Sequence, residues 1–173
     1  MRIVRVAERV MGMSDDVWRR HVNPWSGWSR ATALPLFALA IWSRVWLGWG
    51  AWVPVVLVLI WIWVNPRVFK CPERVNNWMS RGVLGEYIYL NHAAELPAHQ
   101  MRAARVLGWM ALPGIVVMVL GLILLWWEGV VFGTVFAVLP KFWFLDRMVW
   151  IYDNWMRSGH EVLGIKNNGI SDV

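Results

Sequence analysis

Charge is what this sequence lacks over its longest stretches. From Val106 to Trp127, 22 residues pass without a formal charge, and from Ala31 to Pro66, 36 residues carry one, Arg44. A soluble fold has no use for such runs, whereas a helix crossing a hydrocarbon core needs about 20 consecutive apolar residues. Cysteine is nearly absent. Cys71 stands alone, which excludes an internal disulfide and any thiol pair for a metal. A cleavable secretory signal is not expected, because the first apolar run begins near residue 31 and no small-residue cleavage site follows it. Catalytic and ligand-binding signatures are missing as well, so no activity can be read from motifs.

What the chain does hold is apolar and aromatic. Hydrophobic residues make up 58% against 16% charged, and there are 16 tryptophans in 173 residues. Indole pairs a large apolar ring with one N–H donor, and it settles where hydrocarbon meets headgroup. The net charge of +6 does not point to nucleic acid, because the basic residues flank the apolar runs instead of forming a stripe. Anionic lipid headgroups are the expected partner.

These features predict an all-α integral membrane protein with four transmembrane helices in two hairpins and amphipathic interfacial helices beside them. The expected spans are Pro24–Leu47, Trp49–Val64 after a turn at Gly48-Trp49-Gly50, Val106–Trp127, and a fourth from Gly129 that continues past Leu145. The single membrane domain divides into an N-terminal segment 1–30, a hairpin 31–64, a loop 65–105, a hairpin 106–145, and an extension with a flexible tail 146–173. Six basic residues precede the apolar run that starts at Ala31, six lie between the second and third spans, and four follow Leu139, leaving Arg44 alone toward the other side. The positive-inside rule then puts both termini and the central loop in the cytoplasm of a cell-membrane protein. A three-span reading would separate two equally basic segments across the membrane and is rejected. The tryptophans agree. Trp42, Trp46, Trp49, Trp52, Trp126 and Trp127 gather at the outer turns, with a second set at the cytoplasmic ends.

Residues 3–11 pattern as a helix lying in the membrane surface, unless they are an upstream extension and Met13 is the true start. Ser14-Asp15-Asp16 reads as a helix start. Lys141–Arg157 is amphipathic, with Asp146, Arg147, Asp153, Asn154 and Arg157 sharing one arc. Asn23 is expected to cap the first span, and Asn65-Pro66 to end the second.

Several residues could carry chemistry. His92, Glu95 and His99 approach a metal constellation, but Pro97 falls between the histidines and a third strong ligand is lacking, so no metal or cofactor is expected. Asp146 and Arg147, at the cytoplasmic end of a membrane helix, read as a headgroup site or as a structural tie to Arg30, Glu86 or loop backbone. Arg44 either snorkels to the headgroups or pairs with Glu128 across the hairpins. Gly129, Gly133 and Ala137 share one face of the fourth span, as Gly114 and Gly121 share one of the third, a pattern for close packing within the monomer. Mid-bilayer polar residues are too few for ion-coupled transport.

The strings His21-Val22-Asn23-Pro24-Trp25-Ser26-Gly27-Trp28-Ser29-Arg30, Trp63-Val64-Asn65-Pro66-Arg67, Ser80-Arg81-Gly82-Val83-Leu84-Gly85-Glu86 and Lys141-Phe142-Trp143-Phe144-Leu145-Asp146-Arg147-Met148-Val149-Trp150 carry a resemblance. Together they resemble a family of small prokaryotic multi-pass membrane proteins known only as a domain of unknown function, over about Ser14–Asp153. The resemblance implies a membrane fold and no activity. The expected function is therefore a structural or accessory role, binding lipid or a partner at the cytoplasmic face. A membrane-protein partner or a second copy are the further candidates. The other reading is an enzyme or carrier acting on a lipid or other apolar molecule, with Arg81, Glu86, His92, His99, Asp146 and Arg147 as the polar end of its site.

Overall fold

A computed structural model describes residues 11–164; the surface helix expected at 3–11 and the tail after Gly164 lie outside the described residues, apart from Met11 and Gly164 themselves. The described chain is all-α, without a strand. Ser14 caps α1 (Asp15–His21) by accepting from the Val17 N–H at 3.4 Å, and Asp15 and Asp16 sit in the first turn opposite Arg19, Arg20 and His21 in the last. That charge order suits the helix dipole. Asn23 caps α2 (Pro24–Ala31) by accepting from Trp25 N–H at 3.0 Å, with Pro24 in the first turn where a missing donor is harmless.

The expected unbroken helix from Pro24 to Leu47 is instead three pieces: α2, α3 (Ala33–Trp42) and α4 (Arg44–Leu47). Pro35 gives the first break its cause, since a proline ring clashes with the carbonyl four residues back and is tolerated only in a first turn. At each break a hydroxyl turns onto the backbone: Thr32 Oγ1 donates to Ser29 O at 2.8 Å and Ser43 Oγ to Ala40 O at 2.7 Å. Gly48, at φ 52 and ψ −126, opens a 3₁₀ turn over Gly48–Ala51 and leads into α5 (Trp52–Val68). Pro66 does not end α5, which runs on to Val68.

Residues 24–68 form a 45-residue apolar helical stretch, and as a single rod it would span about 67 Å. Yet Ser26 Oγ lies 3.0 Å from Asn65 Oδ1, so the stretch folds back on itself at the glycine turn. A second hairpin joins α7 (Ala98–Leu124) to α8 (Trp127–Arg157) through Leu125 in the left-handed region at φ 54. Its seam is glycine. A Cβ on Gly121 would come within 2.6 Å of Val130 N, and one on Gly114 within 2.6 Å of the Phe136 carbonyl carbon. Gly133 and the buried Ala137 complete that seam from α8, while Gly129 lies under the Trp126 ring. Small residues let the two backbones approach and gain dispersion contact.

Three helical stretches, 24–68, 98–124 and 127–157, are long and apolar enough to cross a membrane. Their most apolar windows are 11%, 28% and 39% buried, so most of their leucine, valine and tryptophan faces outward. Packing is unevenly shared. The small cluster of Ala38, Met118, Leu122 and Val130 serves the apolar half. A far larger one joins α1, α6 (Trp78–Asn91), the start of α7 and the second half of α8. The central loop, expected to be helical over Leu84–Ala94, thus starts its helix six residues earlier and carries it at the centre of the main core, with Leu84 and Ile88 fully buried. Gly82 and Gly85 make this fit: a Cβ on Gly85 would meet the Met148 backbone, at 3.0 Å from its Cα and nearer still to its carbonyl.

Candidate functional site

Where α1, α2 and α3 approach α6 and α8, the helices leave a cavity of about 430 Å³. Leu34, Phe37, Ile62, Val83, Val138 and Leu145 are among its apolar walls, and His21, Arg30, Glu86 and Lys141 bring charge or polarity to it. Lys141 Nζ donates to Glu86 Oε1 at 3.2 Å and lies 4.8 Å from the centre of the Phe144 ring. Burial pushes the Glu86 carboxyl up, but Lys141 and Arg30 outweigh it and hold the group below its ordinary value of 4.5.

Behind Arg30 runs a directed chain of hydrogen bonds. A guanidinium can only donate, so the 3.4 Å contact from Arg30 Nη1 makes His21 Nε2 an acceptor. The proton then sits on His21 Nδ1, which donates to Ser26 Oγ at 2.7 Å. Ser26 donates to Asn65 Oδ1 at 3.0 Å, and Asn65 Nδ2 donates to Ser29 Oγ at 2.7 Å. Every polar atom along it has a partner, as buried groups require. Burial first, then Arg30 and Lys141, lower the His21 pKa to about 3 against the opposing effect of Glu86, so the ring is neutral at physiological pH. The histidine–serine pair has the spacing of a base and nucleophile, but Ser26 is fully buried and spends its proton on Asn65. It is a clamp between α2 and α5. A second tie on this side is Asn23 Nδ2, donating to Lys70 O at 3.0 Å.

A family model described as Family of unknown function (DUF6653) matches residues 3–166. The chain belongs to that family. The match reaches further at both ends than the Ser14–Asp153 marked by the shared strings. No curated protein matches the chain, and no solved structure does. In this DUF6653 chain the strings meet: His21, Ser26, Ser29 and Arg30 come from the first, Asn65 from the second, Glu86 from the third and Lys141 from the fourth.

Of the six polar residues singled out from the sequence, Glu86 alone lines the cavity of this DUF6653 chain. Arg81 approaches Asp153 at 3.9 Å on the α6–α8 seam. Asp146 accepts from Trp78 Nε1 at 3.3 Å, steadying a cluster in which the Trp78 ring lies 6.0 Å from Trp28 and 6.4 Å from Phe142. Arg147 covers the Trp150 ring at 4.4 Å. His92 Nδ1 contacts Glu95 Oε1 at 3.0 Å just past the end of α6, and His99 is exposed in the first turn of α7. No group of three metal-ligating side chains occurs among the described residues. Arg44 is placed otherwise than a pairing with Glu128 would have it. Its guanidinium donates to Leu122 O, and at 3.5 Å to Ile123 O, the free carbonyls ending α7. Glu128 sits in the first turn of α8. Each charge thus complements a helix dipole instead of the other charge.

Sequence reading passed over His21, Ser26, Ser29, Asn65 and Lys141. The signal was available in Asn65, an amide at the end of an apolar run. It was read as a helix stop because Pro66 follows.

Proposed function

We propose that this is a four-span membrane protein, both termini cytoplasmic, that holds lipid at its cytoplasmic boundary and serves an accessory role without catalysis. The observation that carries the reading is the cavity, whose walls are apolar and whose charged residues sit at the end of the bundle where the basic residues gather. A site apolar along its walls and charged at one end suits an amphiphile lying at the membrane boundary. The four crossings draw support from the reversal of residues 24–68 and from the outward apolar faces of all three long stretches. Exposed Trp46, Trp49, Trp52, Trp126 and Trp127 near the turns, against Trp25, Trp63, Trp109 and Trp143 toward the other end, supply a belt at each boundary.

The lone exposed cysteine offers the test. A membrane-impermeant maleimide should label Cys71 in inside-out vesicles and not in intact cells. Trp49→Cys in a Cys71→Ser background should behave oppositely. Lipid retained through mild-detergent purification, identified by mass spectrometry, completes the expectation. Labelling of both positions from one side refutes the topology, and a lipid-free preparation refutes the holding role.

A further inference from the structure

The cavity's charges do not cancel. Arg30 and Lys141 bring two positive charges to its lining and Glu86 one negative, while His21 is held neutral by accepting from Arg30 at Nε2. One positive charge is left over. Arg30 is also underused: a guanidinium has five N–H donors, and among the described residues its one hydrogen bond is the long 3.4 Å contact to His21. Lys141 is 59% exposed and reaches Glu86 from a flexible four-carbon stem, so it can leave the carboxylate for another anion nearby. Beside these groups the walls are hydrocarbon, and 430 Å³ falls toward the lower end of the roughly 300–1,000 Å³ of small-molecule sites. That is room for one hydrocarbon chain against apolar walls.

We propose that the cavity binds a singly charged anionic amphiphile, its carboxylate or phosphodiester held by Arg30 and Lys141 and its chain lying against Leu34, Phe37, Ile62 and Val138. The proposal rests on the lipid-holding reading and adds the sign of the headgroup and the residues that select it. Guanidinium matches either anion with paired N–H donors. Glu86 acts as the counter-charge that occupies Lys141 when the site is empty. It also disfavours a doubly charged head, since two negative charges would face it across a small apolar space.

The test uses the full chain in a neutral detergent and measures binding of oleate, oleoyl-lysophosphatidylglycerol, monoolein and inorganic phosphate by native mass spectrometry. Oleate and the lysophosphatidylglycerol should both bind, with monoolein and phosphate at least about tenfold weaker, the scale of a lost charged hydrogen bond. Arg30→Gln and Lys141→Gln should each weaken oleate by a similar factor, while Lys70→Gln, outside the cavity, leaves it unchanged. Glu86→Gln should tighten oleate, a direction that misfolding cannot imitate. Equal binding of monoolein and oleate overturns the charge assignment and leaves lipid holding intact. Phosphate binding as tightly as oleate overturns the amphiphile. Glu86→Gln that weakens oleate overturns the role given to Lys141. If none of the four binds a chain that still purifies with native lipid, this site is refuted while the broader reading survives.

Discussion

Asn65→Ala removes the hub of the clamp between α2 and α5. Asn65 is fully buried, accepts from Ser26 at 3.0 Å and donates to Ser29 at 2.7 Å. Two hydrogen bonds at about 1 kcal/mol each give a loss of about 2 kcal/mol. The Ser26 hydroxyl, fully buried, is then left without an acceptor, which adds about 1–3 kcal/mol. Ser29 loses less, since it is part-exposed and keeps Trp25 O at 2.6 Å. The expected destabilisation is about 3–5 kcal/mol, a large share of the roughly 5–15 kcal/mol of a typical domain. Equilibrium unfolding in mixed micelles, followed by tryptophan fluorescence, measures it. Ser26→Ala strands the His21 Nδ1–H and Asn65 Oδ1 instead. The double variant should therefore fall short of the summed single losses by about 1–2 kcal/mol, because the two residues share one interaction. An Asn65→Ala loss within about 0.5 kcal/mol of zero, a size usual for surface changes, would refute the clamp, as would strict additivity.

Gly85→Ala forces a methyl group into the Met148 backbone, so α6 and α8 must part, at a cost of about 1–3 kcal/mol or more in the same assay. Gly108→Ala, with nothing within 4 Å, should be neutral or stabilising by up to about 1 kcal/mol, and equal effects at the two sites would refute the close approach. Acid should act through His21. Its folded pKa of about 3 lies below the ordinary 6.5, so the unfolded chain binds the extra proton between those values. Stability is then complete above pH 6.5 and falls toward pH 3 by up to about 1.4 kcal/mol per unit. His21→Gln should flatten that window, leaving the Glu86 contribution, which is lost only as pH falls below about 4.5.

Helix content and the turn at Gly48 were legible because apolar length and a glycine report directly on local backbone needs, whereas the second turn, at Leu125 and Trp126, falls inside the uncharged run expected as helix to Trp127. Asn23 and Ser14 were legible as caps for the same reason, since a cap is a contact within one turn. The site was not. Its groups come from residues as far apart as 21 and 141, and only tertiary packing brings them to one cavity. Asn65 misled because proline after it is a local stop signal, whereas Pro66 sits buried in a helix whose neighbouring side chains hydrogen-bond to α2. The segment 65–105 is too long for a bare connection, and its sequence reads as helical over Leu84–Ala94, whereas the helix runs Trp78–Asn91 and lies in the main core. Gly82 and Gly85 are there for close backbone contact, which spacing alone does not reveal.

Because α6 packs most extensively against the second half of α8, the order of synthesis matters. Residues 78–91 emerge well before residues 141–157, and until those arrive α6 has only α1 and its neighbours to pack on and lacks its largest mate. Leu84 and Ile88 are then covered in part by the α1 side of the same cluster. A ribosome stalled before Lys141 would therefore hold a first hairpin already turned and a middle helix only half docked.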